Sequence, residues 1–439
     1  MAKVTILSKE TIKPSQPPTN SFPSIPLSLL DQLAPPIYTH ILFFYSTYLP
    51  EIPEKLKSSL SRSLNYFYPF AGRIREIGKG KLHVECNGEG AEFVEARVTG
   101  ATTESIRHGP VVEIFNELLP IKKSLFDFRE SGPLLAVQIN VLDGGGFILG
   151  VSISHFIADG ASLSMFLNWW SRTASGFAEN LSPPPLLPRF DCAAVFPPEE
   201  MPHITIHKRS SEDSGSNQDV AMRCFSINSK AMETLKQVGG TTTQSTRVEA
   251  VSALIWRCIK RVQAGNRLSI SHCVNFRKRM APVLSNESIG NMWINVEIPD
   301  LGIETESTGG IEQSIRRAVR GVDENFVRMK AQEMWDVREG KEQRAKGIEG
   351  IETVEWIFTN WCRMGWYDCD FGFEAPDWVA CGITAMKNVC MLIDAKDGQG
   401  MEVWLWMAME EMERIESDSE FRLFVTSSLG ESINRISEY

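Results

Sequence analysis

His155 and Asp159 stand in the stretch VSISHFIADGAS, where an apolar, strand-like run ends in a histidine and a turn then opens a helix. Of the seven histidines (40, 83, 108, 155, 203, 207 and 272), only His155 has an aspartate four residues on, and Gly160 follows at once. A neutral imidazole, with an ordinary pKa of about 6.5, can take a proton from a hydroxyl or amine in reach and turn it into a nucleophile. Spacing alone leaves a second reading open, a satisfied strand-end histidine beside an ordinary turn aspartate. Hydrolases that pair His with Asp also need a serine or cysteine nucleophile, and no GxSxG elbow occurs in the chain. Ser152 and Ser154 lie on the same strand, alternating with Ile153, without a strained turn around them. Direct transfer, in which the base activates an acceptor that attacks an already activated acyl group, requires only the histidine and an oxyanion donor. Asp159 need not touch His155 at all. It could instead fix the turn through an ion pair, with Arg277 in VNFRKRMAP as a candidate partner, since a guanidinium suits bidentate carboxylate pairing.

The elements that must position these residues can be read from periodicity. LLAVQINVL (134 to 142) and FILGVSISH (147 to 155) flank Asp143, Gly144, Gly145 and Gly146, a hairpin pattern that puts His155 at a strand's end facing a cleft. Leu163, Phe166, Leu167 and Trp170 recur at helical spacing just beyond Gly160. Further on, STRVEAVSALIWRCIKRVQAG (245 to 265) predicts an amphipathic helix with a capping box at Thr246 and Glu249 and an end at Gly265. Its start groups Ser245, Thr246 and Arg247 with unpaired N–H groups, which could hold a phosphate; an ordinary capped helix with a solvent arginine fits the same pattern. Strand-like SISHCVNF (269 to 276) and NMWINVEIP (291 to 299) follow, then a polar helical region over 310–343. The tail predicts a hairpin from VCMLIDAK and MEVWLWM and a helix near Glu410 to Val425.

Between Ser182 and Val220 the sequence turns to SPPPLLPRF, FPPEEMPH and KRSSEDSGSNQD, with seven prolines ahead of a polar Ser/Gly stretch, which reads as a crossover between lobes. The expected organisation is an N-terminal lobe over 1–185, a crossover linker over 186–220 and a C-terminal lobe over 221–439, each of mixed α/β character. A chain of 439 residues, 43% hydrophobic, can bury a large core. With 45 Lys and Arg against 55 Asp and Glu, the net charge of -10 gives no electrostatic reason for a nucleic acid or an anionic membrane as partner, and a small-molecule substrate fits better. Nine cysteines without a CxxC pair argue against a zinc module and a disulfide framework. The N-terminus lacks the apolar core of a signal peptide, and no run approaches the ~20 apolar residues of a membrane span. A soluble, cytoplasmic protein is expected.

Several segments across nearly the whole length resemble the BAHD superfamily of plant acyl-CoA-dependent acyltransferases. HxxxDG is present as His155 to Gly160; YPFAGRI (68 to 74), VNFRKR (274 to 279) and IGN (289 to 291) resemble its other signatures. TNWCRMGWYDCDFGFEAPDW (359 to 378) resembles the segment around the DFGWG motif, and together with STRVEAVSALIWR (245 to 257) it is most similar to the vinorine-synthase-like, largely acetyl-transferring branch. The resemblance implies an α/β fold of two chloramphenicol-acetyltransferase-like lobes with a solvent channel between them, in which a segment near 376–395 packs with the N-terminal lobe. It implies acyl-CoA, most simply acetyl-CoA, as co-substrate rather than a resident cofactor, and no metal. The other partner would be an alcohol such as an alkaloid or terpenoid, and the protein would be a monomer. His155 would be the base and Asp159 would turn away to pair with Arg277. Gly160 and the motif residues Asp370, Gly372 and Phe373 would be structural. Ser245, Thr246, Arg247 and Asn291 would face CoA, and Tyr38 and Thr39 the acceptor. DFGWG stands here as DFGFE, so an indole N–H is lost at Phe373; either another oxyanion donor serves, or Phe373 merely packs and Glu374 faces solvent. The alternatives are an N-acyltransferase, a user of longer or aromatic acyl-CoA, and a non-catalytic ligand-binding relative. A peptide-forming condensation domain is disfavoured, because Ser154 stands where its second histidine would be.

Overall fold

The computed structural model describes residues 2–16, 24–78, 80–107, 111–122, 132–176, 187–200, 220–238, 245–298, 310–338, 353–382 and 387–427. Leu135–Leu142 and Phe147–Ser154 form the expected antiparallel hairpin, with Leu135 opposite Ile153. Its turn is closed by the Leu142 N–H donating to the Gly146 carbonyl at 3.2 Å. Gly145 and Gly146 take φ of 94° and 76° there, where a side chain is disfavoured. The hairpin is the centre of a six-stranded sheet in the order Lys3–Ile12, Ala91–Thr99, Leu135–Leu142, Phe147–Ser154, Tyr38–Tyr45, Trp378–Cys381. Every residue of Tyr38–Tyr45 and Phe147–Ser154 is buried, including Thr39 and His40 of the first strand.

A second, seven-stranded sheet runs Trp293–Ile298, Arg267–Asn275, Thr353–Asn360, Val389–Asp394, Met401–Ala408, Val220–Ile227, Thr426–Ser427. Its two faces serve two cores. On Met401–Ala408, Trp404 and Trp406 point into the core shared with the first sheet, whereas Val403, Leu405 and Met407 point into a second core under the helix Arg247–Val262. The sheets are also linked by the chain itself: from the second sheet it crosses to pair Trp378–Cys381 with Tyr38–Tyr45, then returns at Val389. The molecule is therefore two sheet-centred α/β lobes closed on a common apolar layer.

The helix foreseen over 245–265 spans Arg247–Val262 and carries the Thr246–Glu249 capping box. The polar region over 310–343 divides into Gly310–Arg320 and Glu324–Arg338, and the tail into Met409–Ser417 and Ser419–Phe424. Of the crossover, residues 187–200 are described, and their short helix Cys192–Val195 packs on the first lobe; the Ser/Gly stretch lies outside the described residues. All nine cysteines are free. No helix among the described residues is long and apolar enough to cross a membrane.

Candidate active site

The strand Phe147–Ser154 delivers His155 to the floor of a cavity of about 330 Å³ between the lobes. Its N–H still pairs with the Ile37 carbonyl at 2.9 Å, and the Ile157 N–H turns back to the Ser154 carbonyl at 3.2 Å, so the chain leaves the sheet directly beneath the imidazole. Nδ1 is sealed from solvent with no partner at hydrogen-bonding geometry, which leaves Nε2 as the nitrogen open to the cavity. Burial pushes the ring's pKa below its ordinary value, against the opposing pull of its own carbonyl, Asp159, Asn291 and Asp31. This shift favours the uncharged imidazole at neutral pH, the form that can accept a proton.

Asn291 was expected to face CoA. It lies instead beneath the histidine: its Nδ2 donates to the His155 carbonyl at 2.6 Å and to Asp31 Oδ1 at 3.0 Å. Asp31, itself capped by the Ser28 hydroxyl at 2.6 Å, also accepts the Asn291 backbone N–H at 2.7 Å. A buried polar chain therefore runs from the helix Leu29–Leu33 through Asn291 to the backbone of His155.

Asp159 turns away from His155, as its anticipated pairing with Arg277 requires. The guanidinium donates to both carboxylate oxygens, at 2.8 and 2.9 Å, and further to the Ser162 hydroxyl and to the carbonyls of Ser288 and Gly290. Asp159 is also the N-cap of the helix Gly160–Ala174, accepting from the Ser162 N–H at 2.8 Å, and it takes the Met292 N–H at 3.0 Å. Burial alone would raise its pKa, but Arg277 and these N–H donors hold the carboxyl below the usual range. The other lobe approaches Gly160 closely: a Cβ there would lie 3.1 Å from Trp361 Nε1, so a side chain would require that neighbour to shift by a few tenths of an ångström.

A second cavity of about 730 Å³ opens on the far side, lined by Arg247, Lys278, Arg316, Arg320 and Arg363 among others. Ala161, Cys273, Asn275, Asn360 and Met364 line both cavities, so the two meet at the carboxyl ends of the strands Arg267–Asn275 and Thr353–Asn360. The anticipated phosphate residues are largely committed elsewhere. Arg247 pairs with Asp394 at 2.6 Å and donates to the Gly398 and Gly400 carbonyls, Thr246 is engaged in its capping box, and Ser245 is buried. Sequence reasoning missed the cations that remain. Lys278, Arg320 and Arg363 are exposed on this cavity and have no ion pair among the described residues.

Tyr38 and Thr39 do line the smaller cavity, with the Tyr38 hydroxyl donating to the Pro133 carbonyl at 2.8 Å. His40, which carried no recognisable signal in the sequence, lines it too; its Nδ1 lies 2.8 Å from the Ser152 hydroxyl, and burial pushes its pKa down to about 4. Ser152 is thereby occupied. Asp370, Gly372 and Phe373 line neither cavity. Asp370 closes a turn by accepting the Gly372 and Phe373 N–H groups, and Gly372 sits at φ +84° against Ser175. Phe373 packs on Tyr45 and Phe147, both at 5.5 Å. Phe147 is at the opposite end of the strand from His155, about 26 Å away along eight residues. Phe373 therefore packs, and the position of the lost indole is far from His155. Glu374 does not simply face solvent, since it accepts from the Thr47 N–H at 2.7 Å.

The chain is similar to known proteins over nearly its full length. The model of the Transferase family matches residues 2–422. Salutaridinol 7-O-acetyltransferase of Papaver somniferum is 30% identical, with 94% of this chain and 97% of that protein covered. Stemmadenine O-acetyltransferase of Catharanthus roseus is 31% identical, with 95% and 97% covered. The crystal structure of vinorine synthase superposes with a TM-score of 0.79 at 28% identity, covering 97% of this chain and 99% of that one. With a family match along nearly its full length and the two-lobed fold in common, the chain belongs to the Transferase family of BAHD acyltransferases.

Proposed function

We propose that the protein transfers an acetyl group from acetyl-CoA to a hydroxyl of a plant specialised metabolite, by direct attack with His155 as general base. The observation that carries this reading is the His155 imidazole, its pKa pushed down by burial, on the floor of one cavity whose wall is shared with a larger, cationic one. Acetyl-CoA in the larger cavity would set its phosphates against Lys278, Arg320 and Arg363 and its thioester at the shared wall. The acceptor in the smaller cavity would set its hydroxyl against His155 Nε2. The hydroxyl oxygen attacks the thioester carbon while its proton passes to Nε2, and the tetrahedral oxyanion collapses to expel the CoA thiolate, which takes the proton back from the imidazolium. Neither a covalent acyl-enzyme nor a resident cofactor enters this scheme. Asp159 and Arg277 hold the turn that aims the base, and Asn291 holds its backbone.

A hydroxyl acceptor is supported by the charges present. Among the described residues lining the smaller cavity, Asp159 is the one carboxylate, and it is committed to Arg277. Acetyl as the acyl group is supported by the two named O-acetyltransferases above. The test is to incubate the protein with acetyl-, hexanoyl-, benzoyl- and p-coumaroyl-CoA in turn, together with alcohols extracted from the source tissue, and to follow product masses. Acetyl esters formed in preference to the others are the expected result. An amide product or preference for a longer donor would replace the acetyl O-transfer reading by its N-acyl or long-chain counterpart, and no transfer from any donor would leave a ligand-binding protein.

A further inference from the structure

Choosing one acceptor among many alcohols needs polar groups in the smaller cavity besides the base, and one is built into its wall. His40 and Ser152 stand directly opposite each other on the strands Tyr38–Tyr45 and Phe147–Ser154, so their side chains share one face of the sheet. Tyr38, two residues before His40, shares that face, and both line the cavity. The imidazole is fixed there on three sides. The Ser152 hydroxyl lies 2.8 Å from Nδ1, and the Tyr38 ring stacks beside it with centroids 6.3 Å apart and planes at 24°. On the third side Gly382 donates its N–H to the His40 carbonyl at 3.1 Å and leaves room for the ring, since a Cβ on Gly382 would collide with the Cβ of His40.

Hydrogen bonding also fixes the tautomer. Ser152 is fully buried and its hydroxyl has no other partner among the described residues, so its hydrogen is satisfied only by donating to Nδ1. Nδ1 is then the accepting nitrogen, and Nε2 carries the hydrogen of the ring. That N–H has no partner among the described residues, and the 6% of His40 that stays accessible opens on the cavity. With its pKa pushed down to about 4 by burial, the ring is an uncharged donor at neutral pH. Among the described residues the cavity lining has no lysine or arginine, so a carboxylate on the acceptor would meet no counter-charge. We infer that His40 is a specificity-determining residue, whose Nε2–H donates to a second, uncharged oxygen, carbonyl or ether, on the scaffold of the acceptor alcohol. The inference rests on the acyl-transfer reading. His155 pairs with Ile37, three residues along the strand from His40, so the two imidazoles rise from positions about 10 Å apart. That separation suits an alcohol of several rings, with the reacting hydroxyl on one and the second oxygen on another.

Two uncharged replacements separate the donor from the rest of the ring. His40→Asn keeps an oxygen near the position of Nδ1 to accept the Ser152 hydroxyl but does not reach as far as Nε2, whereas His40→Gln carries an NH2 out to that position. Each protein is given acetyl-CoA and the alcohols extracted from the source tissue, spiked with the hydrocarbon alcohols borneol and phytol, and every ester is identified by mass. The wild type should esterify alcohols that bear a further oxygen at least about tenfold faster than borneol or phytol. That ratio should fall by about tenfold or more in His40→Asn and return to within about threefold of the wild type in His40→Gln. A check that does not depend on the folding of a variant comes from wild-type protein with isotope-labelled histidine, read by nuclear magnetic resonance. His40 should carry its hydrogen on Nε2, and that N–H signal should move when CoA and the esterified alcohols are added. Esters formed without regard to a second oxygen, a ratio unchanged in His40→Asn, a hydrogen on Nδ1, or an unmoved signal overturns the role of His40 alone. No ester from any alcohol with the wild type overturns the transferase reading with it.

Discussion

At the scale of single residues, the turn from His155 to Asp159 pushes one imidazole toward its neutral form and holds one carboxylate in its charged form. Burial lowers the pKa of His155, whereas Arg277 and two N–H donors outweigh burial at Asp159 and lower its pKa too. For a base with a depressed pKa the active, unprotonated form is present above that pKa and is lost as pH falls through it. The profile of log kcat/KM should therefore be flat at neutral pH and turn down only below about 6.5. A limb centred above pH 7 in the free enzyme would show instead that the ring is held protonated. Phe373 makes the complementary point. Its separation from His155 predicts that Phe373→Trp, which restores the family's usual residue, changes kcat by less than about twofold while shifting the thermal midpoint through its contacts with Tyr45 and Phe147. Residues with local signals were legible in the sequence: His155 ends an apolar run, and Thr246 and Glu249 cap a helix three residues apart. Asn291 and Arg247 were not, because packing of distant segments fixes their partners, Asp31 at 260 residues' remove and Asp394 at 147.

At the scale of elements, the turn after His155 is clasped between lobes by a fully buried ion pair. Removing one partner leaves the other charge buried and uncompensated, at a cost of about 3–5 kcal/mol. Asp159→Ala should lower the urea midpoint by that much free energy, and Asp159→Asn, which keeps the helix cap but not the charge, by a smaller amount. Equal and negligible losses in both would mean that the pair does not hold the lobes' geometry. Hairpins and capped helices were readable because their periods of two and 3.6 and their turn glycines lie within a few residues. The excursion of Trp378–Cys381 into the first sheet has no such local mark: WVAC is a four-residue apolar run whose partner strand lies some three hundred positions earlier, and only the resemblance to a known family indicated where it packs.

At the scale of the whole molecule, an acidic chain of net charge -10 places on one cavity three cations, Lys278, Arg320 and Arg363, that have no ion pair among the described residues. If Lys278, Arg320 and Arg363 receive the phosphates of CoA, replacing all three by glutamine should raise KM for acetyl-CoA by about 10–100-fold at low salt, with kcat nearly unchanged and the difference shrinking as ionic strength rises. A loss confined to kcat would place the phosphates elsewhere. The two-lobed architecture was foreseen through family resemblance, since periodicity alone indicates mixed α/β lobes without saying that they share an apolar layer and a passage between them. All these features matter only if the imidazole at that passage moves the proton. The direct test is turnover of acetyl-CoA with its preferred acceptor by the His155→Ala protein, after confirming that the variant is folded and still binds acetyl-CoA. The account predicts a kcat lowered by about 10²–10⁴-fold with little change in KM; a variant that turns over within about threefold of the wild type would contradict it.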